Sequence, residues 1–189
     1  MIKMLTALAA AAVVLPSAAS AQVVGAAEDR LEILGTAFQA CVILTPSASR
    51  GNNATFEPVS GNSGEIRITD FVNPSTATAR AASINLALPV ICNSPHRLVL
   101  RSSNGGLRRD GAGAGSQGPF AEFKAYQMAA SWGPVALNAM SDADGQLVIN
   151  SSTARAGDVS ITIDVGEGGQ PLVAGTYSDE IVVEFRAAN

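Results

Sequence analysis

PLVAGTYSDEIVVEFR, residues 171–186, is the stretch whose reading decides the fold. From Tyr177 onward the side chains alternate. Tyr177, Ile181, Val183 and Phe185 fall on one face, and Ser178, Glu180, Glu184 and Arg186 fall on the other. A period of two, with β-branched and aromatic residues on the inner face, is the pattern of a strand buried on one side. Asp179 breaks the inner face near its start, and Val182 interrupts the outer one. Pro171 has no amide to give to a ladder and Gly175 accepts positive φ, so a turn leads into the strand.

Working outward, the same alternation recurs. Val159, Ile161, Ile163 and Val165 alternate with Ser160, Thr162 and Asp164, the cleanest strand pattern in the chain. Ile84, Leu86, Leu88, Val90 and Cys92 share a face of Ser83–Cys92. Pro89 on the other face predicts a sheet edge or a bulge there. Asn93-Ser94-Pro95 is read as a turn, returning the chain as Arg97–Arg101 with Leu98 and Leu100 inward. Residues 36–45 read as a first core strand, with Phe38, Ala40, Val42 and Leu44 on one side and Cys41 and Ile43 on the other. Glu65–Phe71 reads as another strand, and 47–53 as a loop of small and polar residues. Residues 104–118 form a Gly-rich loop, and 120–130 fit either period but are taken as strand. Trp132-Gly133-Pro134 is a turn before Val135, Leu137 and Ala139, and Asp144-Gly145 is a hairpin signal leading into Leu147–Asn150. Eight or nine short strands of this kind, with no long helix, predict an all-β chain folded as an antiparallel β-sandwich.

The N-terminus reads as a secretory signal over residues 1–21. Lys3 supplies its positive charge, Met4–Leu15 its apolar run, and Ala19-Ser20-Ala21 a small-x-small cleavage site. The run is short for a bilayer span and meets Pro16 directly, so no membrane insertion of the mature chain is expected. Residues 22–35 form a leader containing Val23, Val24, Leu31 and Ile33, and 36–189 form a single domain. The formal charge is −4, with no basic cluster along the sequence, which argues against nucleic acid as a partner. The two cysteines, Cys41 and Cys92, allow one pairing, expected as a disulfide in an oxidising compartment. Closing a loop of about 50 residues stabilises the fold by roughly 4 kcal/mol on the chain-entropy model.

Nothing in the residues calls for an enzyme, a metal or a cofactor. His96 is the sole histidine. Gly61-Asn62-Ser63-Gly64 superficially resembles a serine-protease motif, but Asn stands where Asp is needed and Ser63 precedes the histidine. Asp142 with Asp144, and Asp164 with Glu167, are carboxylate pairs in turns, where Asp, Glu and Gly are ordinary. Tyr126 and Trp132 are aromatic candidates for stacking on a sugar, with core or edge packing as the simpler reading.

PLVAGTYSDEIVVEF resembles the closing motif of the spore coat U domain and Csu-type (archaic chaperone-usher) pilins, whose last strand follows a Pro…Ala-Gly-Thr-Tyr-Ser-Asp run. Upstream, a signal, an extended leader, Cys41 on the first strand, Cys92 ending an apolar strand, Tyr126 with Trp132-Gly133, and the terminal motif occur in the order of that family. Asp70-Phe71-Val72-Asn73-Pro74 is similar to its Phe-Gly element, with Val72 where Gly is usual. The segment between the cysteines and the Gly-rich loop at 105–118 are longer than the family pattern.

The resemblance implies an incomplete immunoglobulin-like sandwich, with a groove filled by the N-terminal extension of a neighbouring subunit through β-strand addition. On that reading Val23, Val24, Leu31 and Ile33 are donor candidates, and Tyr177, Ile181, Val183 and Phe185 line the groove. The partners implied are other pilin subunits, a periplasmic chaperone and an outer-membrane usher. The implied destination is the periplasm and then a fimbrium on the cell surface. The alternative is a self-complete secreted sandwich acting as an adhesin or carbohydrate-binding module.

Overall fold

Alternating runs become strands where backbone edges find partners, and the two longest, Ala82–Cys92 and Arg155–Val165, have partners on both sides. In chain order the strands are β1 (Cys41–Ile43), β2 (Ser47–Asn52), β3 (Ala54–Ser60), β4 (Ser63–Ile68), β5 (Ala82–Cys92), β6 (His96–Ser102), β7 (Leu107–Arg109), β8 (Phe123–Lys124), β9 (Gln127–Trp132), β10 (Val135–Met140), β11 (Gln146–Ser151), β12 (Arg155–Val165), β13 (Tyr177–Ser178) and β14 (Ile181–Ala187). The computed structural model describes residues 33–112, 118–143 and 146–188. The candidate signal and the donor candidates Val23, Val24 and Leu31 lie outside them. No helix occurs among the described residues, and every strand ladder is antiparallel. The fold is all-β and sandwich-like.

The larger sheet has the order β1-β5-β12-β9-β10, with β2 sharing the β1 edge of β5. The smaller has the order β11-β6-β14. Their inner faces meet in a core of Ile84, Leu88, Val90, Leu98, Leu100, Met128, Ala130, Trp132, Leu147, Ile149, Val159, Ile161 and Ile163. β13, β7 and β8 make a small separate sheet, and β3 and β4 pair as a hairpin. The compact unit is Ala37–Asn189.

Several expectations are corrected. Residues 47–52 are a strand rather than a loop, because β2 pairs with Ser83–Ala87 of β5 through its backbone and has no apolar alternation to reveal it. Pro89 lies in an interior strand, not at an edge or bulge. Its carbonyl accepts the Leu44 N–H at 2.9 Å, so its missing donor faces the break between β1 and β2, where no ladder asks for one. Asp144-Gly145 lie outside the described residues, but the strands on either side of them do not pair as a hairpin, since β10 pairs with β9 in the large sheet while β11 pairs with β6 in the other. The 36–45 strand shortens to β1, with Val42 and Leu44 exposed and Cys41 and Ile43 toward the core. Of 120–130, taken as one strand, only Phe123–Lys124 and the start of β9 are strand, and β9 turns Met128, Ala130 and Trp132 inward. Gly133, at φ +63°, makes the turn to β10, and the Arg155 guanidinium fills the space a side chain would take there.

Candidate functional site

The last strand sits at the edge of its sheet. β14 pairs with β6 from Ile181↔Ser102 to Ala187↔His96, and no strand pairs with its other side among the described residues. β1 is likewise an edge, paired only to β5. The two edges approach each other across the sandwich with no ladder between them. Ile181, Val183 and Phe185 point inward from β14, and Cys41 and Ile43 point inward from β1, yet all five are only half-buried. Leu98 and Leu100, on the adjoining strand, are fully buried at 0% exposure. One side of the sandwich is therefore lined by apolar residues that the fold leaves partly open to water.

Tyr177 does not join this row. It lies on β13, paired with Arg109 of β7, in a different sheet. Its ring packs 5.2 Å from Phe71, and its hydroxyl donates to the carbonyls of Val173 and Ala121 at 2.8 and 3.0 Å. Burial raises the Tyr177 phenol above the ordinary tyrosine value, while the Arg109 guanidinium works in the opposite direction. Ile33, the one donor candidate among the described residues, is 88% exposed.

At one end, the floor of this side is aromatic and disulfide-bonded. Cys41 and Cys92 are direct cross-strand partners and form the expected disulfide. His96 is buried beside them. Its Nδ1 lies 2.8 Å from the Ser94 carbonyl, which can only accept, and its Nε2 takes the Trp132 indole N–H at 2.8 Å. Those partners assign a neutral ring with the proton on Nδ1. Phe185 packs 6.1 Å from both His96 and Trp132, so the end of β14 reaches the same cluster. The two sulfurs and His96 are mutually close, a grouping that sequence spacing does not reveal. With the sulfurs bonded to each other and both imidazole nitrogens engaged, these groups do not fit a metal.

The polar residue that interrupts the alternating motif has a definite job. One carboxylate oxygen of Asp179 accepts the Tyr126 hydroxyl at 2.6 Å and the Ser102 hydroxyl. The other accepts the amides of Asn104 at 2.9 Å and Glu180 at 2.8 Å. Four donors from three parts of the chain thus converge where β14 begins. Burial first, and the Asp179 carboxylate second, push the Tyr126 phenol well above the ordinary tyrosine value, with Ser102 partly opposing them. Sequence reading registers Asp179 only as a break in pattern and misses the knot. An acid at an inward strand position is the signal that it needs buried donors.

The remaining candidates separate. Trp132 and Tyr126 are each 2% exposed, so neither presents a ring face to a sugar. Ser63 sits at the tip of the β3–β4 hairpin with its hydroxyl on the Ser60 carbonyl, while His96 is committed in the core. Asp142, Asp164 and Glu167 are exposed. Pairing of β6 with β14 brings Arg97, Arg101 and Arg186 to one outer face, a grouping invisible along the sequence, although Glu184 ties Arg186 through two 2.6 Å hydrogen bonds. No protein-family model matches the chain, and neither a curated protein nor a solved structure matches it.

Proposed function

We propose that this protein is an exported structural subunit of a surface fibre, joined to its neighbours when the leader of one copy completes the sandwich of the next. The carrying observation is the inward row of Ile181, Val183 and Phe185, only half-buried on an edge strand and faced by the half-buried Cys41 and Ile43. An edge of free backbone groups beside partly covered apolar side chains favours one more strand, which would satisfy both at once. The resemblance of residues 171–185 to the spore coat U and Csu pilins supports the same reading. On it, the immunoglobulin-like sandwich is incomplete until assembly, a periplasmic chaperone covers the open side beforehand, and an outer-membrane usher exports the subunit.

Strand direction favours a neighbour over self-closure. Cys41, Cys92, His96 and Ala187 lie at one end of the sandwich, around the turn at 93–95. β14 runs toward that end, and β1 leaves from it. A chain's own leader, turning directly into β1, would have to lie parallel to β14. A neighbour's leader is free to lie antiparallel, the slightly more stable ladder.

The test compares the mature chain with and without residues 22–35, and adds a peptide of those residues in trans. The expected result is oligomers from the full chain, and a truncated chain that is less stable until the peptide binds. A truncated chain equally stable and indifferent to the peptide would end the proposal.

One observation favours the adhesin reading. Arg109, Phe120, Glu122 and Leu172–Ala174 line a shallow depression, and Glu122, bonded to Arg109 Nε at 2.7 Å through one oxygen, keeps its other oxygen buried without a partner. Specific glycan binding by a monomer, lost in Glu122→Gln, would decide for that reading.

A further inference from the structure

The outer face of the large sheet carries an apolar patch where its surface would ordinarily be polar. Val42 lies opposite Ile91, and Ile91 opposite Ala156, so one row crosses three strands without a polar side chain. In the next row, Leu44 bonds through its amide to the carbonyl of Pro89. Val42, Leu44 and Ile91 are 50%, 46% and 51% exposed, and Phe38, further along the same edge, is 84% exposed. Contiguous exposed apolar surface of this kind marks a contact more often than scattered single residues do.

The patch lies at the root of the leader. Asn93 clamps that root, accepting the Ala40 amide and donating to the Phe38 carbonyl, each at 2.8 Å. Residues before Phe38 therefore depart from a fixed point on the edge of the patch. We infer that Phe38, Val42, Leu44 and Ile91 form the surface against which the body of a second copy rests when it accepts this chain's leader at Leu31 and Ile33. The inference depends on the fibre reading above. Chain length selects the occupant. From Ile33 to Phe38 an extended chain spans at most about 17 Å, so a body holding Ile33 in its open side stands over the patch. Insertion through Val23 and Val24 would leave roughly 50 Å of slack and enforce no contact.

The test uses the full mature chain, with Val42→Thr and Ile91→Thr combined so that β-branching is kept and apolar surface removed. Self-association is read by sedimentation velocity, and binding of a labelled peptide of residues 22–37 by anisotropy. The expected result is self-association on the order of tenfold weaker with peptide binding unchanged. Equal self-association by the variant and the parent would overturn the inference while leaving the fibre reading intact. Failure of the peptide both to bind and to compete with assembly would sink the fibre reading and the leader-directed contact together. Assembly that resists the peptide yet weakens in the variant would keep the patch as a contact between copies and overturn its link to the leader.

Discussion

β6 and β14 are neighbours in one sheet, share the same alternation and differ in how far it is satisfied. Leu98 and Leu100 of β6 are at 0% exposure, whereas Val183 and Phe185, their direct cross-strand partners, are half-buried. Side-chain character does not explain this, since all four are large and apolar. Nor does the number of ladder partners, since β11, the other edge of this sheet, has one and still buries Leu147 and Ile149 at 3% and 1% exposure. What differs is cover along the free edge: β11 lies beside β10 of the opposite sheet, whereas β14 has only the short β1 beside it. Burial of an inward residue here requires cover along the strand's free edge as well as a sheet opposite. The difference is the physical content of the fibre proposal.

The sharpest way to break the comparison is to truncate one residue from each strand. Leu100→Ala should destabilise the monomer by roughly 3–4 kcal/mol, because a fully enclosed side chain leaves a cavity. Val183→Ala should cost only about 1 kcal/mol, since water already reaches that site. Chemical unfolding of both variants measures the gap. The leader peptide should then make Val183→Ala costlier, raising its penalty toward that of an enclosed residue. Equal penalties for the two variants in the monomer would mean that β14 is already as enclosed as β6.

A somewhat smaller effect is expected at the start of β14. Asp179→Ala removes the acceptor for Tyr126, Ser102 and two backbone amides at once. A loss of roughly 2–3 kcal/mol should follow, less than a simple sum because Asn104 and Glu180 are exposed and water can replace the carboxylate at their amides. Hydrogen exchange across 180–185 should quicken while β11 and the far end of β6 stay protected. If exchange is unchanged, the knot does not hold β14, and the strand's half-burial has no link to it.

Legibility followed how strongly one face is buried. The strands with a partner on both sides, Ser83–Cys92, Arg97–Arg101 and the one through Val159–Val165, are plain in sequence because one buried face forces period two. Where pairing is through backbone alone, as in β2, composition says loop and tertiary context overrides it. In residues 36–45 alternation was visible, but which face turned inward was not, because both faces are apolar: Phe38, Val42 and Leu44 on one, Cys41 and Ile43 on the other. The disulfide was legible from two cysteines. The closeness of His96 and Trp132 to it was not, because their meeting depends on the two sheets folding onto each other. Tyr177 shares the period of Ile181 and Val183, but the Asp179 knot lies between them and sends it to another sheet. Alternation cannot register such a break when the interrupting residue keeps the period.

The smallest expected effect isolates that knot by pH. Tyr126 is held neutral in the folded protein, with its phenol above the ordinary value of 10.0. In the unfolded chain it ionises near that value. The folded state then binds a proton that the unfolded state has released, so stability is whole below about pH 10 and falls as pH rises beyond it. The loss should be about 1 kcal/mol between pH 10 and 11. Tyr126→Phe should remove this part of the slope, leaving the weaker dependence of Tyr177, while costing about 1 kcal/mol at neutral pH for the lost hydrogen bond. Denaturation at pH 8 and at pH 11 separates the two terms. An alkaline slope unchanged in Tyr126→Phe would mean that water reaches the phenol, and that the start of β14 is as open as its inward row.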